Sequence, residues 1–234
     1  MIAFFDLDDT LLDGANGNMI AKYMYEEKLL GWDALFRALR YTILYKLNIL
    51  PYEKVYIWSF RLSATYPIEE LLIILDRAYE RYILKRFFEE GHLKIEEHRK
   101  KGHFTVIATA AGEYIAEKVR VQLGADEKIA AMVPVRNGYL TDEMERPLPF
   151  GEGKLKLAKR MAEQRGHDLK DCYFYSDSAA DYPLLAAVGH PVLVNPQIRL
   201  RRMVKGKGWP VERWRKYSEF PEPSKAERLS FPIS

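Results

Sequence analysis

Ile2-Ala3-Phe4-Phe5-Asp6-Leu7-Asp8-Asp9-Thr10-Leu11-Leu12 opens the chain, and its reading decides the fold. A short apolar run, β-branched and aromatic, stops at three acids, Asp6, Asp8 and Asp9. The run is too short for a helix and reads as a fully buried strand. Open α/β sheets hold their ligands outside the carboxyl ends of the strands, so acids at such an end point to chemistry. Asp6 and Asp8 are two apart, and extended backbone sends both side chains to the same side. Like charges that close raise each other's pKa unless a cation or a proton intervenes. A hard divalent cation that prefers oxygen ligands, Mg2+ above all, meets that need. A solvated acidic turn after an edge strand is the competing reading of this stretch by itself.

Working outward, Asp13-Gly14-Ala15-Asn16-Gly17-Asn18 is rich in turn residues and reads as a loop or hinge. No strand pattern follows until past Glu90. Helical patterns run near 19–30, 33–48, 52–64 and 68–89, broken near Gly31, Leu50-Pro51 and Tyr66-Pro67. In the last of them Leu71, Leu72, Leu75, Ala78, Tyr79 and Tyr82 recur at helical spacing. The block reads as a helical insertion, a small bundle in its own right.

The rhythm then changes. A charged helix from His92 to Lys101 leads to a buried strand at 103–108, then to a helix from Glu113 to Leu123 stopped by Gly124. A strand at 128–133 precedes an irregular excursion over 134–150 with a turn at Asn137-Gly138. A basic amphipathic helix spans 153–165, and Cys172-Tyr173-Phe174-Tyr175 forms a strand ending at Ser176-Asp177-Ser178. A short helix over 179–188, a strand at 191–194 and a basic helical run at 197–205 complete the pattern. Strand and helix alternating in this way predict an α/β fold, a Rossmann-like doubly wound parallel sheet with the helical block inserted after its first strand. The expected parts are a core of residues 1–14 and 91–208, an insertion at 15–90, and a proline-bearing tail at 209–234, extended or packed on the core.

Composition narrows the function classes. Hydrophobic residues at 48% and charged residues at 29% are ordinary for a globular chain. The net charge of +3 (36 basic minus 33 acidic) is too slight to argue for a nucleic-acid partner. One cysteine, Cys172, excludes an internal disulfide framework and a cysteine-based zinc site, and its apolar surroundings read as core. No apolar stretch reaches the roughly 18 residues of a membrane span. No basic leader precedes the first strand, so a cytoplasmic setting is expected.

The strand ends offer Asp6 and Asp8, then Thr109, then Lys154 at a helix start, then Asp177 and Asp181. In a parallel sheet these ends converge on one edge. Three or four carboxylates can hold one hard cation. Thr109 adds a hydroxyl, the N–H groups that follow it can bind an anion, and Lys154 adds a fixed positive charge. An anion gripped by a hydroxyl, backbone N–H groups, a lysine and Mg2+ is most simply a phosphate. Lys154 also has the simpler reading of a surface lysine, since Lys156 and Lys159 share its helix.

The acidic motif at 6–10, Thr109, Lys154 and Tyr175-Ser176-Asp177-Ser178-Ala179-Ala180-Asp181-Tyr182-Pro183-Leu184-Leu185 together resemble the haloacid dehalogenase superfamily of phosphohydrolases. The block at 15–90 resembles that superfamily's first-position (C1-type) helical cap, and the whole is similar to the phosphoserine-phosphatase-like branch, subfamily IB. The resemblance covers about residues 1–210. It implies a Mg2+-dependent phosphomonoesterase acting on a small-molecule phosphomonoester, with Asp6 as nucleophile forming an aspartyl-phosphate and Asp8 as general acid and base. It implies Mg2+ held by Asp6, the Asp8 carbonyl oxygen and Asp177, supported by Asp181 and Ser178, and phosphate bound by Thr109, the Ala110 N–H and Lys154.

Some positions depart from the family pattern. Asp9 stands where Gly, Asn or Ser is commoner, and Ala111 where a polar residue or glycine is frequent. Ala180 replaces an asparagine that ordinarily precedes the second acid of the last motif. Ala15 falls where phosphoserine phosphatases carry an acid for the substrate amine, which disfavours phosphoserine. Substrate choice is expected to lie in the insertion, where Arg37, Arg40 and Arg61 are candidates for a second anionic group among many aromatics. The segment from Leu35 to Leu50 is basic and apolar enough to touch an acidic membrane, so a lipid phosphate is one alternative substrate. A phosphotransferase and a non-catalytic phosphate-ligand binder of the same fold are the others. Oligomeric state is not legible.

Overall fold

β1 (Ile2–Phe5) lies in the middle of a sheet with both faces covered, which is why it carries no polar side chain. A computed structural model describes residues 1–34, 36, 37, 40, 44, 63–141 and 143–220. The strands after β1 are β2 (Phe104–Gly112), β3 (Glu127–Ala131), β4 (Val135–Arg136), β5 (Tyr139–Leu140), β6 (Tyr173–Ser176), β7 (His190–Val194) and β8 (Val211–Glu212). Six of them form one sheet in the order β3-β2-β1-β6-β7-β8, every pair parallel. Ile2 faces Phe104 on one side of β1, and Ala3 faces Tyr173 on the other.

The helices whose bounds are described are α1 (Asn16–Glu26), α2 (Ile68–Ala78), α3 (Glu89–Lys100), α4 (Glu113–Leu123), α5 (Glu152–Gln164), α6 (Tyr182–Ala187) and α7 (Ile198–Met203). Period-two alternation sorts the core. Ala3, Phe5, Ile107, Tyr175 and Val194 pack against Ile95 of α3 and Ile115 and Val119 of α4. Ile2, Phe4, Val106, Phe174 and Leu193 pack against Ala158 of α5, Leu184 of α6 and Leu200 of α7. Burying each of Phe4, Phe5 and Phe174 contributes on the order of 1.5–3 kcal/mol. The doubly wound sheet therefore follows the expected alternation, and α4 keeps the expected bounds, with Gly124 left-handed at φ 65° to close it.

Several stretches differ from expectation; α1, for one, begins at Asn16, inside the stretch expected as a loop, and ends at Glu26 rather than near 30. The single helix expected over 68–89 is α2 followed by a wide π turn at Tyr79–Ile83 and a 3-10 turn at Leu84–Arg86. Its buried positions move from Leu71, Ile74 and Ala78 to Tyr79, Ile83, Leu84 and Phe87, and the chain then turns extended at Phe87 and Phe88. Within the irregular 134–150 excursion, β4 and β5 pair as a small hairpin around Asn137 (φ 53°) and Gly138 (φ 78°). The hairpin meets the start of α2, where Ile68 N donates to Gly138 O at 2.7 Å.

The described part of the tail is no loose end. β8 lies beyond the expected core boundary at 208 and adds a sixth strand beside β7. Trp214 behind it is buried with its ring stacked near Tyr175. α1 and α2 pack through Tyr23, Met24, Ile74 and Ala78. The helices expected near 33–48 and 52–64 fall largely outside the described residues. Cys172 is buried, as its apolar setting implied. No described helix is long and apolar enough to cross a membrane.

Candidate active site

The site is built where β1 stops. Asp6 N donates to Tyr175 O at 3.0 Å, which holds Asp6 on the ladder to β6 while its side chain leaves the sheet edge. The backbone then tightens: Thr10 N and Leu12 N both donate to Leu7 O. Asp9 takes a left-handed φ of 57°, a conformation that suits Gly or Asn, and Asp more than most.

Lys154 is buried, and its Nζ donates to Asp6 Oδ1 and to Asp181 Oδ2, both at 2.8 Å. The surface reading of this lysine is therefore excluded. Its placement depends on Gly153, where a Cβ would lie 1.9 Å from Leu148 O. Only glycine lets the start of α5 pass that close to the backbone. Burial works against the charge on Lys154, but Asp181 and Asp6 outweigh it and hold the ammonium above its ordinary pKa.

Asp177 follows β6. Gln197 Nε2 donates to its Oδ2 at 2.7 Å. Thr10 joins Asp177 to Asp6. Its hydroxyl lies 3.3 Å from Asp6 Oδ2 and 3.2 Å from Asp177 Oδ1, and it accepts from Asp177 N at 3.0 Å. One hydroxyl has one proton, so it satisfies only one of the two carboxylates at a time. Burial pushes the Asp6 carboxyl up to about 7; Lys154 opposes the rise, and Asp181 and Asp8 add to it. Burial, then the charge on Asp6, raises Asp177 well above the carboxylate range.

The remaining predicted residues divide. Asp8 turns its carboxylate to Asn16, accepting from the backbone N at 2.7 Å and from Nδ2 at 2.8 Å. Burial raises its pKa, and Asn16 opposes that. Asp181 accepts from Ser176 Oγ as well as from Lys154, so its contacts are with the lysine rather than with Asp177. Ser178 accepts from Ala180 N and so caps the 3-10 turn that carries Asp181. Three or four carboxylates around one cation are thus not what is seen. Asp8 and Asp181 are engaged elsewhere, and among the described residues no three His, Cys, Asp or Glu side chains converge as a metal-ligand set.

Thr109 is buried within β2, which runs on to Gly112 through a register shift after Ala108. Phe5 faces Ile107, so Thr109 and Ala110 lie just beyond, on the edge that Asp6 occupies. The Thr109 hydroxyl accepts from Ala111 N at 3.0 Å. Arg37 is exposed and pairs with Asp33, Arg40 is exposed, and Arg61 lies outside the described residues. Sequence reasoning gave no role to Thr10, Asn16, Ser176 or Gln197. Thr10 sits inside the quoted motif, and its short polar side chain among acids was the available signal. Gln197 had none, being placed by the fold alone.

A family model described as haloacid dehalogenase-like hydrolase matches residues 3–186. The chain belongs to that family. Among curated relatives it is 31% identical over 213 residues to the "Inhibition of morphological differentiation protein" of Streptomyces azureus, covering 89% of this chain and 76% of that one. It is 29% identical over 212 residues to a "probable phosphatase" of Mycobacterium tuberculosis, covering 89% and 74%. A solved structure of a protein of unknown function from Bordetella pertussis superposes with a TM-score of 0.80 at 27% identity, covering 90% of this chain and 96% of that one. This haloacid dehalogenase-like hydrolase thus carries its buried acids, its lysine and its threonine along one edge of the sheet.

Proposed function

We propose that the protein is a Mg2+-dependent phosphatase that hydrolyses a small phosphomonoester through an aspartyl-phosphate on Asp6. The observation that carries this reading is the burial of Asp6 against Lys154 at 2.8 Å, with Asp177 joined to it through Thr10. The name of the M. tuberculosis relative, a probable phosphatase, supports it. The donor set fits a hard cation: two buried carboxylates share one hydroxyl proton, and the groups they offer are oxygens. Mg2+ would be held by Asp6, Asp177 and the Asp8 carbonyl oxygen, and when bound would neutralise charge on the phosphoryl group.

The chain's own residues then divide the work. A carboxylate oxygen of Asp6 attacks phosphorus, and the bond from phosphorus to the ester oxygen breaks. Asp8 gives its proton to that oxygen, and the alcohol leaves. Asp8, now a carboxylate, takes a proton from water as the water attacks the phosphoryl group on Asp6. Phosphate departs and both aspartates return to their starting states. Lys154 holds Asp6 in place and balances charge on the phosphoryl oxygens, with Thr109 and the Ala110 N–H as their further donors. Asp181 and Ser176 keep Lys154 aimed. α1 and α2 belong to a cap that selects the leaving group, an arrangement of the phosphoserine-phosphatase-like, subfamily IB kind.

Phosphate release from p-nitrophenyl phosphate tests the proposal, comparing wild type with Asp6→Asn, each with Mg2+ and with EDTA. Turnover that requires Mg2+ and falls by at least about a thousandfold in the variant is expected, since the nucleophile is gone. Turnover that survives Asp6→Asn would overturn the mechanism.

A further inference from the structure

α1 begins without a capping side chain of its own. Its N-cap residue is Ala15, and no acidic residue stands in its first turn. The carboxylate that meets the start of this helix belongs instead to Asp8, on the loop after β1. Asn16, the first residue of α1, is buried, and it makes three contacts to that one group. Its backbone N lies 2.7 Å from Asp8 Oδ1, and its Nδ2 lies 2.8 Å from both Oδ1 and Oδ2.

A carboxylate gripped at both oxygens by one amide has little rotational freedom left. The grip also spans two parts of the molecule. Asp8 is on the sheet edge with Asp6, whereas Asn16 is the first helical residue of the insertion. Lys154, by contrast, binds Asp6 and Asp181, so it fixes the nucleophile and leaves Asp8 to Asn16.

We propose that Asn16 is a positioning residue that sets the orientation of Asp8 as proton donor, and that it thereby couples the seating of the insertion to protonation of the leaving group. This rests on the roles given above to Asp6 and Asp8. An asparagine suits the task because its amide reaches the carboxylate without adding a charge beside Asp6 and Asp177.

The test uses leaving groups of different quality. p-Nitrophenolate leaves readily without a proton, whereas phenolate needs one more. kcat/KM is measured with Mg2+ on p-nitrophenyl phosphate and on phenyl phosphate for wild type, Asn16→Ala, Asn16→Gln and Asp8→Asn. Asn16→Ala is expected to lose about tenfold on phenyl phosphate and no more than about twofold on p-nitrophenyl phosphate, a misaimed acid being felt only where a proton is required. Asn16→Gln, which restores an amide, is expected to recover part of the phenyl phosphate rate. An equal fall on both probes, or no fall, would overturn the positioning role. If Asn16→Ala does not fold by near-UV circular dichroism, Asn16→Leu, of similar shape without the amide, takes its place with the same expectation. Asp8→Asn must show the same bias toward the better leaving group. Without that bias, the role of Asp8 itself fails, and this proposal fails with it.

Discussion

Replacing Lys154 by Met keeps an unbranched side chain one atom shorter and removes the charge. The lysine is 3% exposed and pairs with Asp6 and Asp181 at 2.8 Å each, so the variant leaves two buried carboxylates without their cation. Breaking a buried pair in this way costs about 3–5 kcal/mol. The cost has a ceiling, because a buried carboxyl escapes it by taking up a proton. Asp6 is already raised to about 7 with the lysine present, and removing the lysine raises it further. A carboxyl whose folded pKa lies above its unfolded value binds more protons in the fold, so stability falls as pH rises toward the folded value. The deficit of Lys154→Met should therefore widen from pH 6 to pH 8. At pH 8 in EDTA, a loss of about 4 kcal/mol corresponds to a Tm lower by about 10 °C for a chain of this size. Urea or thermal unfolding at the two pH values, with EDTA throughout, measures it. Adding Asp181→Asn to Lys154→Met removes one orphaned charge and should recover part of the loss. A deficit below about 1 kcal/mol, or one that shrinks toward pH 8, would refute the buried-pair reasoning.

Two further predictions follow from packing and charge. His98 is buried between Tyr175 and His103, with Nε2 2.9 Å from the Tyr175 hydroxyl and Nδ1 2.8 Å from His103 Nδ1. Burial first, then His103, lowers its pKa from 6.5 to about 4. The fold therefore prefers the neutral ring: its contribution is complete above pH 6.5 and is lost as pH falls toward 4, to a total of about 3 kcal/mol. Urea unfolding of wild type against His98→Asn between pH 7.5 and 4.5 reads this as a shrinking difference, and a difference flat with pH would count against it. Gly153→Ala sets a Cβ 1.9 Å from a backbone oxygen, so the start of α5 must shift. The variant should lose about 2 kcal/mol or more of stability, and its phosphatase rate should fall further than its unfolding explains, because Lys154 is the next residue.

Much of the core could be read before any coordinates. The apolar run of β1, the strand and helix alternation from 104 onward and the left-handed stop at Gly124 are local signals, each carried by a few neighbouring residues. The sheet uses them as expected. The convergence of Asp6, Thr109, Lys154 and Asp177 on one edge was legible for a general reason: parallel strands present their carboxyl ends together. β8 was not legible. Two residues, Val211 and Glu212, join the sheet only because Leu193 and Val194 offer a free edge nearby, and nothing in their own pattern marks a strand.

The sequence by itself named the acids, the lysine and Thr109 and the sheet edge where they stand, because strand direction is a property of the local chain. Only the tertiary structure decided how those groups are shared out. Lys154 went to Asp6 and Asp181, Thr10 to the gap between Asp6 and Asp177, Gln197 to Asp177, and Asn16 to Asp8. A carboxylate accepts from whichever donor the packing brings within about 3 Å, and that distance is set by elements far apart in the chain. A linear pattern can name the acids, but the pairing of each with its donor is a consequence of where the helices come to rest.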